Sequence, residues 1–390
     1  MRGGRRVAVT GVGVVAPAGI GVDAFWAGLL AMPPDGPREI ADWDPSPWFG
    51  PKDARRADRF VQFAVAAADE AVRDAGDVGA DPDRSGVIIA TGVGGLHTLE
   101  EQVVLRVERG ENRVSPFLVP MMMCNAAAGH VSMRFGWRGP CETITTACAA
   151  STQGIGYAAR LIAIGVCDAV LAGGSETAIT PTGVAGFRNM TALSSSGISR
   201  PFDVARDGFV IAEGAAVLVL EEWEAAHARG ATIHGEIVGT ASTADAHHIT
   251  APDPSGSGAV RCIELALAEA GLSPADIRHI NAHGTSTPLN DVAESVAINK
   301  VFGTPAPPVT STKGVTGHAL GAAGALEATA VLLAMRHRLI PPTAGLVDQD
   351  PEIDLDVVKG APRPWEPGPS LSNSFGFGGH NGCLVIAPPS

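Results

Sequence analysis

The sequence predicts an α/β protein made of two similar halves, with helices layered on sheets, and three observations carry that reading. Helix-like and strand-like runs alternate along the 390 residues, a pattern that stacks helices on sheets. A composition that is 45% hydrophobic and 18% charged supplies enough apolar surface for a large core. The third observation is a weak internal repeat. In the first half a helical run over 60–75 ends at Gly76 and leads through a charged turn to an apolar strand at 87–90, which opens onto Thr91-Gly92. In the second half a helical run over 259–270 ends at Gly271. There Ser273-Pro274-Ala275-Asp276 leads to a strand at 277–282 that opens onto His283-Gly284-Thr285.

The elements follow in order. Arg2, Arg5 and Arg6 ahead of the apolar run 7–15 imitate a secretory signal, but Gly11, Gly13 and Pro17 break that run. It reads as a first buried strand entering a turn. Gly11-Val12-Gly13-Val14-Val15-Ala16 also fits a loose dinucleotide fingerprint. Pro17 and Gly19 stand where its helix would begin, so no nicotinamide cofactor is expected. A second correspondence sets Ala147-Cys148-Ala149-Ala150-Ser151, a helical run at 154–164 and a strand at 169–172 against the segment from Gly317-His318 to Gly324 and a helical run at 325–336. Two halves facing each other this way bring Cys148, His283 and His318 together from separate loops. The last strand is expected at 384–386.

Several function classes are excluded by composition. A net charge of −13 argues against a general nucleic-acid binder. An acidic protein partner must then dock on a local basic patch, for which Arg55, Arg56, Arg59 and Arg188 are candidates. Apolar stretches such as 325–335 fall well short of the roughly 20 residues of a membrane span. Six irregularly spaced cysteines with no CxxC pair signal neither a disulfide framework nor a zinc site, and His247-His248 without further ligands adds no metal. A reducing cytoplasm is the expected compartment.

Three segments rich in small residues carry chemistry. Thr145-Thr146-Ala147-Cys148-Ala149-Ala150-Ser151 sets one cysteine at the start of a helix, where the helix N-terminus favours a thiolate and offers free N–H groups to an oxyanion. Cys124, Cys167, Cys262 and Cys383 read as small buried hydrophobes. Asn281-Ala282-His283-Gly284-Thr285-Ser286-Thr287-Pro288 places a histidine at a strand end, where α/β proteins keep reactive groups. The third segment runs from Ser311-Thr312-Lys313 to His318 and on to Glu327, a lysine and a carboxylate able to form a charge network that fixes an imidazole tautomer.

At these residues the chain resembles the β-ketoacyl-acyl-carrier-protein synthase II family, which includes the ketosynthase subunits of type II polyketide systems. The matching motifs span nearly the whole chain. They are Thr10-Gly11-Val12-Gly13, Gly139-Pro140, Thr146-Ala147-Cys148, Arg200-Pro201-Phe202-Asp203 with Arg206-Asp207-Gly208-Phe209-Val210, the runs 281–288 and 313–324, and Asn373-Ser374-Phe375-Gly376-Phe377-Gly378-Gly379.

The resemblance implies a thiolase-like, duplicated αβαβα five-layer sandwich, in which residues 1–230 carry the nucleophile and 231–390 the catalytic histidines. It implies Cys148 as nucleophile, His283 and His318 as catalytic histidines, Lys313 as their support and Glu327 as the partner of that lysine. Phe375 would be the gating phenylalanine whose backbone N–H joins that of Cys148 in an oxyanion hole. Thr285 and Thr287 would hold a pantetheine arm, Leu99, Phe187 and Met122 would line an acyl tunnel, and Phe377 would be a further substrate contact.

The implied reaction is decarboxylative Claisen condensation of an acyl thioester on Cys148 with malonyl-acyl-carrier protein, in fatty-acid or type II polyketide elongation. It needs no metal and no cofactor beyond the phosphopantetheine of the carrier. The implied assembly is a homodimer, or a heterodimer with a chain-length-factor-like subunit. A non-catalytic subunit of that kind is the alternative reading, although such partners usually lack the cysteine. A thiolase would need a second catalytic cysteine, and Cys383 beside the last strand reads as core.

Overall fold

The computed structural model describes residues 3–33 and 35–389. Its strands are β1 (Val7–Ala16), β2 (Gly19–Ile20), β3 (Ser85–Ala90), β4 (Cys141–Glu142), β5 (Ala169–Glu176), β6 (Gly214–Glu222) and β7 (Gly235–Ala244). They continue as β8 (His279–Asn281), β9 (Val309–Thr310), β10 (Leu339–Ile340), β11 (Arg363–Pro364), β12 (Ser370–Gly376) and β13 (His380–Ala387). The expected strands at 7–15, 87–90, 169–172, 277–282 and 384–386 all fall on observed ones, with ends shifted by a few residues.

The order β4-β3-β5-β6-β1 is followed by β7-β13-β12-β8-β9, and the two quintets meet where β1 pairs with β7 through Ala8–Glu236 and Val9–Gly235. Each quintet has the same sense of pairing. Its three outer strands are parallel, and the next two are antiparallel to their neighbours. The chain is therefore duplicated about a pseudo-twofold axis between β1 and β7.

Two helices lie between the quintets and further helices cover each outer face, which makes five layers. Of the outer helices, Arg59–Ala75 is buried all round from Phe63 to Ala68, with Ala126–Phe135 packed beside it, while Ser257–Ala270 buries one face, as its apolar spacing requires. The central pair, Ala150–Ala163 and Ala323–His337, have sheet on both sides, so every residue from Ala323 to Met335 is buried. Alanine and glycine dominate both central helices because only small side chains let two sheets approach one helix.

Gly11 and Gly13, the fingerprint dismissed above, pack β1 against the first outer helix. A Cβ at either would lie about 2 Å from the carbonyl of Ala71 or Ala67. Gly239 of β7 meets Ala266 and Ala270 of the other outer helix in the same way. No helix among the described residues is long and apolar enough to cross a membrane.

Candidate active site

Cys148 opens the first central helix. Ala147 adopts a left-handed φ of 51°, a conformation costly for a residue with a side chain, and turns the cysteine toward a cleft of about 380 Å3. His283 enters the same cleft from the loop after β8, and His318 from the turn before the second central helix. The reactive atoms of the three lie within 4.8 Å of one another. His318 Nε2 is 3.0 Å from Cys148 Sγ, and the two imidazoles stand nearly perpendicular with centroids 5.4 Å apart. The convergence expected from the sequence is observed.

Behind the histidines lies a buried charge network. The Lys313 ammonium contacts Glu327, donates to the His283 carbonyl and lies 3.4 Å from His283 Nδ1. A donor at Nδ1 leaves the proton of neutral His283 on Nε2, pointing into the cleft. Glu294 accepts the backbone N–H groups of His283 and Gly284, each at 2.8 Å, and so fixes the loop that carries the imidazole.

Burial sets the protonation states. It pushes the Cys148 thiol up to about 11, against the pull of Lys313 and the backbone N–H groups of Phe377 and Cys148. Burial, followed by the Lys313 charge, holds both histidines well below the usual imidazole range, so they are neutral at physiological pH. Burial likewise lifts Glu327 to about 7, with Lys313 opposing it.

The other expected residues fall at defined places. Thr285 and Thr287 line the cleft, with hydroxyls 2.9 Å apart. Phe187 packs edge-on against Phe209, which in turn meets His318, in an apolar cluster with Cys148, Leu96 and Leu320. Leu99 and Met122 are half-buried on the helices Leu96–Arg109 and Leu118–Met122 and do not line this cleft.

Two expectations are corrected. The second backbone N–H that reaches Cys148 belongs to Phe377, not Phe375. Phe375 lies in the β12–β13 ladder opposite Asn381 and packs its ring edge-on against His283, whereas Phe377 lies past the end of β12, where the chain is free to turn its N–H into the cleft. Arg59 is not free for a partner, because its guanidinium grips Glu213 at 2.9 and 2.6 Å.

Sequence reasoning missed Glu294, Phe209 and Leu320. Glu294 sits at an ordinary helical spacing, and only its burial against the His283 loop reveals it.

A cysteine at a helix start, two neutral imidazoles and converging backbone donors on a duplicated αβαβα frame define a thiolase-fold acyltransferase that works through a cysteine thioester. The chain belongs to the β-ketoacyl synthase family: residues 36–226 match its N-terminal domain and residues 234–347 its C-terminal domain. It is 46% identical over 406 residues to a 3-oxoacyl-[acyl-carrier-protein] synthase 2 of Synechocystis sp., covering 98% of each chain. Among solved structures it is similar to the ishigamide ketosynthase/chain length factor, with a TM-score of 0.94 and 34% identity over 99% of this chain and 100% of that one. It is also similar to a type II polyketide ketosynthase in complex with its acyl-carrier protein, with a TM-score of 0.91 and 33% identity over 99% and 100% of the two chains.

Proposed function

We propose that the chain is a β-ketoacyl-acyl-carrier-protein synthase that performs decarboxylative Claisen condensation. The observation that carries the reading is the 3.0 Å contact between Cys148 Sγ and a neutral His318 Nε2, with His283 beside it in one buried chamber. In the first half-reaction the thiol proton passes to His318 as sulfur attacks the acyl thioester. The oxyanion takes the N–H groups of Cys148 and Phe377, and the departing carrier thiolate recovers the proton.

In the second half-reaction malonyl-acyl-carrier protein loses CO2, and the electron pair of that C–C bond becomes an enolate. His283 donates to the enolate oxygen through Nε2–H, and His318 does so in its Nε2–H tautomer, now that acylated Cys148 has no proton to give. The enolate carbon then attacks the acyl carbonyl, and the Cys148 thiolate leaves. The thioester carbonyl is itself the electron sink, so this chemistry requires no metal and no organic cofactor beyond the carrier's own arm.

The carrier docks, in this reading, near exposed Lys52 and Arg55 and half-buried Arg56, which stacks on Phe117. A carrier of acidic surface needs such a patch on a chain of net charge −13. A second subunit, identical or chain-length-factor-like, covers the helices Leu96–Arg109 and Leu118–Met122. They present Val103, Val104, Val107 and Val119 to solvent, an apolar face of the kind that marks interfaces.

The test is to incubate the protein with acyl- and malonyl-acyl-carrier protein, alone and with a ketosynthase-like partner, and to weigh the products. A β-ketoacyl product two carbons longer, lost in Cys148→Ala, is expected. Absence of that product in both arms, or its persistence in Cys148→Ala, would overturn the reading.

A further inference from the structure

The pseudo-twofold axis gives each active-site position a counterpart. Strand pairing sets Gly174 of β5 and Ala216 of β6 against Ser374 and Gly382, so that Glu176 answers to Gly376 and, through β3 and β8, Ala90 answers to His283. Leu320, with a φ of 45°, repeats the left-handed Ala147 at 51°, and Gly321 then stands for Cys148. At Gly376 a side chain would run into the amide nitrogens of Cys148 and Ala149, at 3.0 and 3.1 Å. Its counterpart, Glu176, does carry a side chain there. The carboxylate is wholly buried and accepts the N–H of Gly321 at 3.1 Å, of Gly92 at 2.6 Å and of Val93 at 3.3 Å, together with the Thr91 hydroxyl at 3.1 Å. Glu176 thus fills the counterpart of the oxyanion site with an anion of the protein's own.

We propose that Glu176 is a positioning residue for the condensation: by holding the Gly321 amide from the other half of the molecule, it fixes the left-handed Leu320 turn and with it His318 against Cys148. The inference rests on the condensing-enzyme reading only for its activity assay. The geometry is direct. Gly321 follows Leu320, which lines the cleft beside Cys148, and His318 stands two residues before Leu320 with its main chain bridged to Ile211. All four donors to Glu176 are neutral, and burial lifts its carboxyl to about 7. Burial is what chiefly keeps the Cys148 thiol protonated against the charge of Lys313, and the Glu176 charge adds to it in the same direction. His318 and His283, the other titratable groups facing the sulfur, stay neutral.

Two variants separate geometry from charge. Glu176→Gln keeps the shape but turns an NH2 toward backbone N–H groups and removes the charge; Glu176→Asp keeps the charge but falls a methylene short of its donors. Condensation is expected to fall at least about tenfold in both. The pH midpoint for alkylation of Cys148 by iodoacetamide, which involves no carrier protein, should move down by about half a unit or more in Glu176→Gln and stay in place in Glu176→Asp.

A role confined to stability would lower melting temperature and yield without moving that midpoint. Should the Gln variant fail to fold, Thr91→Val, which removes one donor, tests the geometry alone: condensation should fall by a smaller factor while the alkylation midpoint stays in place, since Glu176 remains ionised where Cys148 titrates. Unchanged condensation in folded Glu176→Gln and Glu176→Asp, or in Thr91→Val where the Gln variant does not fold, or an alkylation profile of Glu176→Gln that superimposes on wild type, would overturn the proposal. Because alkylation is read without substrate, a chain that proved not to condense at all would still test the charge effect.

Discussion

The two central-helix turns are nearly the same piece of backbone, yet one is an open reaction chamber and the other is filled. Ala147-Cys148 and Leu320-Gly321 share a left-handed residue followed by a helix start. Around Cys148 the facing strand ends in Gly376, and the vacated space is cleft. Around Gly321 the facing strand ends in Glu176, whose carboxylate takes the amide that would otherwise be orphaned. The second turn shows what the first is built to do. The backbone N–H at this position meets the Glu176 carboxyl in one half, the counterpart of the oxyanion proposed for the other.

The comparison breaks hardest at the histidines, which have no counterpart in the filled half, where Ala90 stands for His283. His283→Ala and His318→Ala should each lower the rate of condensation by about 100-fold or more, the loss associated with one oxyanion donor. Mass spectrometry should still detect some acyl group on Cys148 in both. Malonyl decarboxylation that survives at wild-type rate in either variant would contradict the role given to that side chain.

A smaller effect is expected on the filled side. Gly321→Ala sets a methyl 2.1 Å from the Gly92 nitrogen and 2.5 Å from the Thr91 carbonyl carbon, both backbone atoms that cannot swing aside. Overpacking of this kind costs about 1–3 kcal/mol, to be read as a lower denaturant midpoint at constant m-value. Cys148 carries a side chain at the equivalent position, where the chain after β8 at His283 and Thr285 borders the open cleft instead, so a neutral Gly321→Ala would undo the equivalence.

The smallest effect concerns His279, which stands where the first half has Gly86. It is buried against Trp365 with no partner on either ring nitrogen, and burial lowers it to about 3. A folded value below the unfolded one means that its contribution is present above about pH 6.5 and is lost as pH falls through 6.5 toward 3. Burial lifts Glu176, Glu294 and Glu327 to about 7, so theirs has the opposite sign and is lost as pH rises through 7. His279→Leu should therefore change stability by less than about 1.5 kcal/mol at pH 7. It should gain on wild type by up to about 1.4 kcal/mol per unit below 6.5. Parallel unfolding curves from pH 7 to 5 would show that this imidazole does not titrate with unfolding.

Much of the molecule was legible along the chain because periodicity and punctuation are local. The helical run 60–75 ends at Gly76 in sequence and structure alike, and the nucleophile segment announces itself by small residues around one cysteine. The internal repeat was visible too, but its register was off by one. The sequence set Thr91-Gly92 against His283-Gly284, whereas strand pairing sets Ala90 against His283.

By itself the sequence determined which residue types could do chemistry and which segments carry them, since those follow from side chains and near neighbours. Only the tertiary structure decided that Phe377 and not Phe375 turns its N–H to the sulfur, that Arg59 is taken by Glu213, and that Glu176 reaches across to the Gly321 turn of the other half. These are contacts between segments tens of residues or more apart, or choices of backbone direction. They are fixed by the strand register and by the burial of charge, neither of which leaves a local signal in one chain.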